Sequence, residues 1–434
     1  MKVVIMAGGK GTRISSIARD IPKPMIKIEG KPVLEHEIEC LREQGFTDLI
    51  ITVGHLGDVI MEYFGDGSGC SPVTRKPFGV HITYFVEERP LGNAGALFQI
   101  KDKLTEDFLL LNGDAIFDIN FNKFVAYHKK CGGKVTLFTH PNSHPYDSSI
   151  VVAGENKEVR KWLNKEDERP RYYRNRVNAG LHVVSPTILN QEIHTAKVDL
   201  DRELLKPLAG SGEMFVYDSP EYVKDMGTPG RYESVCQDFQ TGLVQAKNLR
   251  NKQQAIFLDR DGVLNKHIGF LTDIEQFILL EGVVEAIRKI NQSGKLAIVV
   301  TNQPVLARGD VTQEELQEIH NKMETLLGEE GAYIDALYYC PHHPHKGYEG
   351  EVAALKIPCA CRKPKPGMLL TAAQDFHIEL GESWMVGDSE NDIVAGQAAK
   401  CKTALITQQE ETFGQDMSKK SLLAFVNKIL GEEQ

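Results

Sequence analysis

The chain has 434 residues, 41% of them hydrophobic and 25% charged, and a formal net charge of −10; its length points to two domains, and its composition excludes collagen-like, disordered and disulfide-scaffold classes. The negative charge, with no basic block and no basic stripe interleaved with aromatics, excludes a nucleic-acid scaffold. No apolar run reaches bilayer length and MKVVIMAGG runs straight into a glycine turn, so a cytoplasmic protein without a membrane partner is expected.

The first predicted element is an apolar strand at 3–6, which ends in Gly8, Gly9 and Gly11 and is followed by Arg13 and then by Lys23 between two prolines. Glycines at a strand end let bare backbone N–H groups approach a phosphate chain closely. Arg13 can grip the phosphate oxygens bidentately, and Lys23 adds a point charge. The strand FLLL then ends in Asn112-Gly113-Asp114, and Asp225 ends another in VKDMGTP. Two carboxylates at strand ends suit Mg²⁺. Residues 241–254, polar and without a core pattern, read as a linker between domains at 1–240 and 255–410. The tail 411–434 holds one amphipathic stretch, LLAFVNKIL, which could dock on either domain or join two copies into a homo-oligomer.

Beyond the linker, the strand in AIFLDRDGVLN ends in Asp259, with Asp261 two residues later and Gly262 permitting a tight turn. Two such acids can divide a phosphate transfer between them, one attacking phosphorus and the other moving the proton. A second strand ends in Thr301 and Asn302, CRKPKPGM supplies Lys363, and a third strand ends in Asp388, with Asp392 after it. Asp392 reads equally as a helix-start acid and as a supporting residue. The cysteines Cys40, Cys70, Cys131, Cys236 and Cys401 stand alone and read as small buried hydrophobes, whereas Cys340, Cys359 and Cys361 fall in one stretch with His342. Three thiolates and one imidazole make a closed tetrahedral site for structural Zn²⁺, with His343 and His345 as competitors of His342.

On the ordered motifs AGGKGTR, PKP, LGNAGAL, NGD, NAGLHV and DMGTP, residues 1–240 resemble the sugar-1-phosphate nucleotidyltransferase family. The resemblance implies in-line attack of a sugar 1-phosphate on a nucleoside triphosphate, with Mg²⁺ on Asp114 and Asp225. It further implies Gly92, Asn93 and Gly95 around the base and sugar, Lys165 at the sugar phosphate, and Asn178 and Glu203 at sugar hydroxyls. Asn93 stands where that family has Thr, and Asn164-Lys165-Glu166 where it has Glu-Lys-Pro.

Residues 254–410 resemble the haloacid dehalogenase superfamily. That likeness implies Asp259 as nucleophile, Asp261 as acid and base, and Thr301 and Asn302 at the substrate phosphate. Lys363 would neutralise charge, and Mg²⁺ would lie on Asp259, Asp388 and the Asp261 carbonyl. The Cys/His stretch, TNQ, Ala307-Arg308-Gly309 and CRKPKPGM narrow the resemblance to the D-glycero-D-manno-heptose 1,7-bisphosphate and histidinol-phosphate phosphatases, with Arg308 and Arg362 suited to a second phosphate. Pro304-Val305 departs from the Ser-Gly of that family. The expected fold is α/β: two Rossmann-like three-layer domains, the second of haloacid dehalogenase type with a zinc loop. The expected function is GDP-heptose synthesis from GTP and heptose phosphates. The alternatives are a hexose such as mannose as the acceptor, or a nucleotide-sugar sensor regulating the phosphatase.

Overall fold

The computed structural model describes residues 1–9, 20–191, 197–347 and 349–431, so Gly11 and Arg13 lie outside the described residues. It divides into two compact units. Unit 1 comprises Met1–His140, Val151–Asn164 and Asn178–Asn248. Unit 2 comprises Pro141–Ile150, Lys165–Val177 and Leu249–Gln434.

Unit 1 is built on a mixed sheet in which Val3–Met6 runs parallel to both Asp48–Val53 and Phe108–Asn112, with Val177–Val184 antiparallel beside the latter. Alternation along these strands sends side chains to two faces. Val3, Ile5, Leu109 and Leu111 enter one core with Leu34 and Ile38 of the helix Val33–Arg42 and with Phe121 and Phe124. Val4, Ile50, Phe108 and Leu110 enter the other core with Leu97, Leu200 and Leu204. A parallel sheet covered on both faces needs apolar residues at every position, which is why its strands read as unbroken apolar runs. Three layers result.

The sheet of unit 2 is parallel throughout, in the order Ala336–Cys340, Leu296–Asn302, Ala255–Leu258, Trp384–Gly387, Lys402–Ile406 and Met417–Lys419. Its two faces are again covered: Ile256 and Leu258 pack with Ala286 and Ile290, and Phe257 packs with Met368 and Leu369. The chain leaves Ala255–Leu258 for one neighbour and later returns on its other side, creating the switch point at which open α/β sheets bind ligands.

The stretch read as a linker is folded. Val244 is buried, the Asn248 amide donates to Asp118 at 2.6 Å, and Gln253 bridges to Ile378. Of the isolated cysteines, Cys40 and Cys401 are buried, Cys131 and Cys236 are half-buried, and Cys70 is exposed on a surface turn bridged to Pro77. Within unit 2, the segment Lys165–Val177 is fastened to the helix Gln313–Glu329. Arg176, 3% exposed, reaches the buried Glu324 at 3.2 Å and donates to the Asp335 carbonyl at 3.0 Å. Pairing supplies the compensation that a buried guanidinium requires.

The tail belongs to unit 2. Met417–Lys419 adds the last strand, and Ser421 caps the helix Leu422–Leu430 by accepting from the Ala424 N–H. Leu422, Phe425 and Val426 are buried with Val283 and Ile287, and Phe425 meets Trp384 edge-on at 5.3 Å. Phe425→Ala is expected to destabilise unit 2 by about 3–5 kcal/mol through lost burial and a residual cavity. Calorimetric unfolding checks this: an unchanged midpoint would mean that the tail is not part of that core.

Candidate active sites

In unit 1 the carboxyl ends of the parallel strands converge. Gly8 follows Val3–Met6, and the Gly113 N–H donates to the Met6 carbonyl at 3.1 Å, which sets Asn112–Asp114 beside the glycine turn. Because Leu181 pairs with Leu111, the antiparallel strand brings Asn178–Gly180 to the same edge. The ribbon Ala115–Asp118 with Tyr222–Asp225 pairs Ala115 with Asp225, so Asp114 and Asp225 become neighbours although far apart in sequence. Lys23 lies 3.0 Å from Asp114, whereas both oxygens of Asp225 are held by Arg231, at 2.9 and 2.8 Å.

Other predicted residues of unit 1 have structural partners. Asn93 Oδ1 accepts from the Leu200 N–H at 2.7 Å, while the Gly92 and Gly95 loop is stitched to the Val198 backbone through Leu91 and Ala94. Glu203 accepts from the Asp199 N–H at 3.0 Å and so closes the start of its own helical turn. Lys165 is exposed and falls in unit 2. Two carboxyls that we did not single out in the sequence border the site. Glu87 Oε1 lies 3.0 Å from where a Cβ on Gly8 would stand, and Glu87 Oε2 accepts from Leu91. Glu37 is buried below Asp114 and accepts from the Ala115 N–H; burial first, then the Asp114 charge, push it well above the usual carboxylate range. Neither residue sits in a glycine or acid motif, so only the folded chain reveals them.

In unit 2, Asp259, Thr301 and Asp388 lie at the ends of adjacent strands around the buried ammonium of Lys363. That ammonium is 2.8 Å from Asp259 and 2.5 Å from Asp392, and it donates to the Val300 carbonyl at 2.8 Å. Burial raises Asp259 to about 7 despite the opposing Lys363 charge; burial depresses Lys363, but Asp259 and Asp392 outweigh it and bring the ammonium up to about 12. Asn302 and Lys363 exchange hydrogen bonds of 3.0 Å between amide and backbone, fixing the lysine's chain to the strand end. Asp392 combines both readings: Oδ2 accepts from Ser389 in a capping box, and Oδ1 faces Lys363.

Asp261 accepts from Arg260, Asn265 and Gln303 at 2.8–3.0 Å. Burial works to raise it, but the Arg260 charge and these hydrogen bonds hold it below the usual carboxylate range. Gln303 also donates to Thr301, linking the acid to the predicted phosphate donor. Gly262 has φ +83, and a Cβ there would fall 1.9 Å from Asp388 Oδ2, so this close approach admits only glycine. His267 contacts the same oxygen at 3.1 Å, and that hydrogen bond raises its pKa. Arg260, Asn265, Gln303 and His267 went unnoticed in the sequence, since their polarity alone does not mark their aim.

Oxygens of Asp259, Asp388 and Asp392 lie within 4.8 Å of one another, a hard donor set fit for a divalent cation. Cys340, His342, Cys359 and Cys361 form a second group. Their neighbouring donor atoms are 3.1–3.7 Å apart and His342 presents Nδ1, close to the roughly 3.7 Å edge of a tetrahedron with 2.3 Å metal–sulfur bonds. His343 Nδ1 instead accepts from the His345 N–H, and neither histidine belongs to this group. Cys361 is two residues from Lys363, and Arg362 donates to the His342 carbonyl at 3.3 Å. Arg308 pairs with Asp310 and lies 4.2 Å over the ring of Phe270. Among the described residues, no helix is long and apolar enough to cross a membrane.

The nucleotidyl transferase family model matches residues 2–240, more than half of the chain, and the HAD-hydrolase-like model matches residues 360–422. The D-glycero-alpha-D-manno-heptose-1,7-bisphosphate 7-phosphatase of Burkholderia mallei is 41% identical over 155 residues, 36% of this chain and 80% of the relative. The D-glycero-beta-D-manno-heptose-1,7-bisphosphate 7-phosphatase of Escherichia coli K12 is 40% identical over 154 residues, 36% of this chain and 78% of the relative. Among solved structures, HddC from Yersinia pseudotuberculosis is 24% identical with a TM-score of 0.46, and the match covers 55% of this chain and 99% of that one. The chain therefore belongs to the nucleotidyl transferase family through residues 2–240 and, through its likeness to these phosphatases, to the heptose-1,7-bisphosphate 7-phosphatase family as well.

Proposed function

We propose that the chain is a bifunctional enzyme of nucleotide-sugar synthesis. Unit 2 removes the 7-phosphate of D-glycero-D-manno-heptose 1,7-bisphosphate, and unit 1 transfers GMP from GTP to the resulting heptose 1-phosphate, releasing pyrophosphate. The observation that carries this reading is the Asp259–Lys363 pair in a chain of which 155 residues are 41% identical to such a phosphatase. The product of that reaction is a sugar 1-phosphate, the acceptor class of the transferase resemblance.

In the phosphatase step, an Asp259 oxygen attacks phosphorus and the bond from phosphorus to the C7 oxygen breaks. Asp261 protonates that oxygen, then takes a proton from the water that cleaves the aspartyl phosphate, restoring Asp259 and freeing inorganic phosphate. The incoming phosphate charge raises the proton affinity of Asp261 for the first of these transfers. Lys363 and the Thr301 hydroxyl offset charge on the phosphate oxygens. Asp259, Asp388 and the Asp261 carbonyl would hold Mg²⁺, which supplies the positive charge that keeps a buried nucleophile ionised.

In unit 1 an oxygen of heptose 1-phosphate attacks the α-phosphorus of GTP and the bond to the β-phosphate oxygen breaks. Lys23 and the glycine backbone meet the phosphates, and Asp114 and Asp225 would hold Mg²⁺. Glu87 supports the choice of guanine: a carboxylate beside the Gly8 turn accepts the N1–H and N2–H donors of that base. The cysteines Cys340, Cys359 and Cys361 with His342 would hold structural Zn²⁺ and steady the loop carrying Arg362 and Lys363.

The first experiment is to supply each anomer of heptose 1,7-bisphosphate with each nucleoside triphosphate and Mg²⁺, following phosphate, pyrophosphate and the mass of any nucleotide sugar. GDP-heptose from the α anomer is expected; phosphate release without any nucleotide sugar would refute the unit 1 reading. Asp259→Asn should abolish phosphate release and spare nucleotidyl transfer, and Asp114→Asn should do the reverse, so loss of both activities in either variant would contradict two separate sites. Glu87→Gln should lower discrimination for GTP over other triphosphates by at least about tenfold, the loss of one good carboxylate–base contact, as read from kcat/KM ratios. Elemental analysis should find one zinc per chain, and Cys359→Ser should lose it together with most phosphatase activity. A native protein free of zinc would end that part of the proposal.

A further inference from the structure

Resting on the nucleotidyl-transfer reading of unit 1, we propose that His182 is a positioning residue: it fixes the Asn178 side-chain amide so that only its NH₂ faces the bound sugar phosphate. Nothing in the motif reading gave His182 a role. It lies 1% exposed in the strand Val177–Val184, opposite Leu110.

Residues 178 and 182 would be about 13 Å apart in a regular strand. Here His182 Nε2 lies 3.0 Å from Asn178 Oδ1. The contact depends on Gly180, whose φ of +74 kinks the strand and whose missing side chain leaves room for Asn112: a Cβ would fall 2.3 Å from Asn112 Nδ2. The same glycine's N–H donates to Asn178 Oδ1 at 3.3 Å. A backbone N–H can only donate, so the atom it meets is the amide oxygen, and His182 must carry its hydrogen on Nε2. Burial lowers this histidine to about 3, which leaves the ring neutral.

Two consequences follow for recognition. With its oxygen committed to two donors, Asn178 offers a ligand only N–H groups, and no hydrogen bond within the described residues occupies Nδ2. It therefore selects an acceptor, a sugar oxygen or a phosphate oxygen, at a point beside Asn112. His182 Nδ1 is buried and has no partner among the described residues. An unpaired buried nitrogen is unfavourable, and a purely structural position would be better filled by Phe. The retained histidine acts through the amide it orients.

The test compares His182→Phe, which keeps a ring and loses the donor, with His182→Gln, whose amide restores one. In the full-length protein, H182F should raise KM for the sugar 1-phosphate by about tenfold, the loss of one oriented hydrogen bond, and leave KM for GTP within about twofold. H182Q should recover most of the loss, and in an Asn178→Ala background H182F should add nothing. An additive effect in that background, or equal rises in both KM values, would overturn the proposal. Independently of turnover, ¹⁵N spectra of histidine-labelled protein should show His182 as the Nε2–H tautomer. If no sugar phosphate is turned over by the native protein, the transferase reading fails while this signal still decides the proposal: Nδ1–H or a doubly protonated ring refutes it.

Discussion

The ammonium of Lys363 is the constraint around which unit 2 is arranged. A fully buried positive charge persists only where carboxylates and carbonyls replace the water it has lost, and the fold meets that demand with Asp259, Asp392 and the Val300 carbonyl. These groups come from the end of Ala255–Leu258, from within Leu296–Asn302 and from the first turn of the helix Glu390–Ala398, so the lysine is satisfied only when the two strands and the helix have their native places. Asn302 then fixes the lysine's backbone. The Cys/His group, two residues upstream, holds the other end of the same segment. Catalytic geometry and loop geometry share one short piece of chain.

Asp261 meets the opposite problem. Its carboxylate needs donors, and receives them from Arg260, Asn265 and Gln303. Two acids two residues apart are thus driven in different directions: burial raises Asp259, while the Arg260 charge lowers Asp261. Under the proposed mechanism ligands would have to reverse both directions: a bound cation would keep Asp259 ionised for attack, and the charge of the substrate phosphate would raise Asp261 for proton donation. Unit 1 solves a related problem with less burial, setting Asp114 against Lys23 and Asp225 against Arg231, so each acid has a cation within 3.0 Å. Both units put their chemistry where strands end, because backbone N–H groups and side chains are free to face a ligand there.

The motif residues were legible in the sequence wherever a rare residue type stood at a strand end. Gly8, Asp114, Asp259, Thr301 and Asp388 follow apolar runs, and the Cys/His spacing marked its own group. Residues that act by orienting others were not legible. Gln303 sits beside the recognised Thr301 and Asn302, yet its contact with Asp261 depends on the turn after the strand. Glu87, His267 and Arg260 are ordinary polar residues until folding aims them. Asn93 and Glu203 show the converse: the motif placed them near ligands, and the structure gives each a backbone N–H to hold.

By itself, the sequence determined the α/β class, the two families of motif and the clustering of three cysteines with one histidine, because burial on both faces demands unbroken apolar strands and reactive residues stand out against them. Only the tertiary structure decided that the polar stretch 241–254 is folded, that the tail helix completes the core of unit 2, and that residues 165–177 pack on the helix Gln313–Glu329. It also set His342, and not His343 or His345, beside the three cysteines and joined His182 to Asn178 across a glycine kink. These outcomes rest on contacts between residues distant in the chain or on a single positive φ, and neither leaves a periodic mark that a sequence can display.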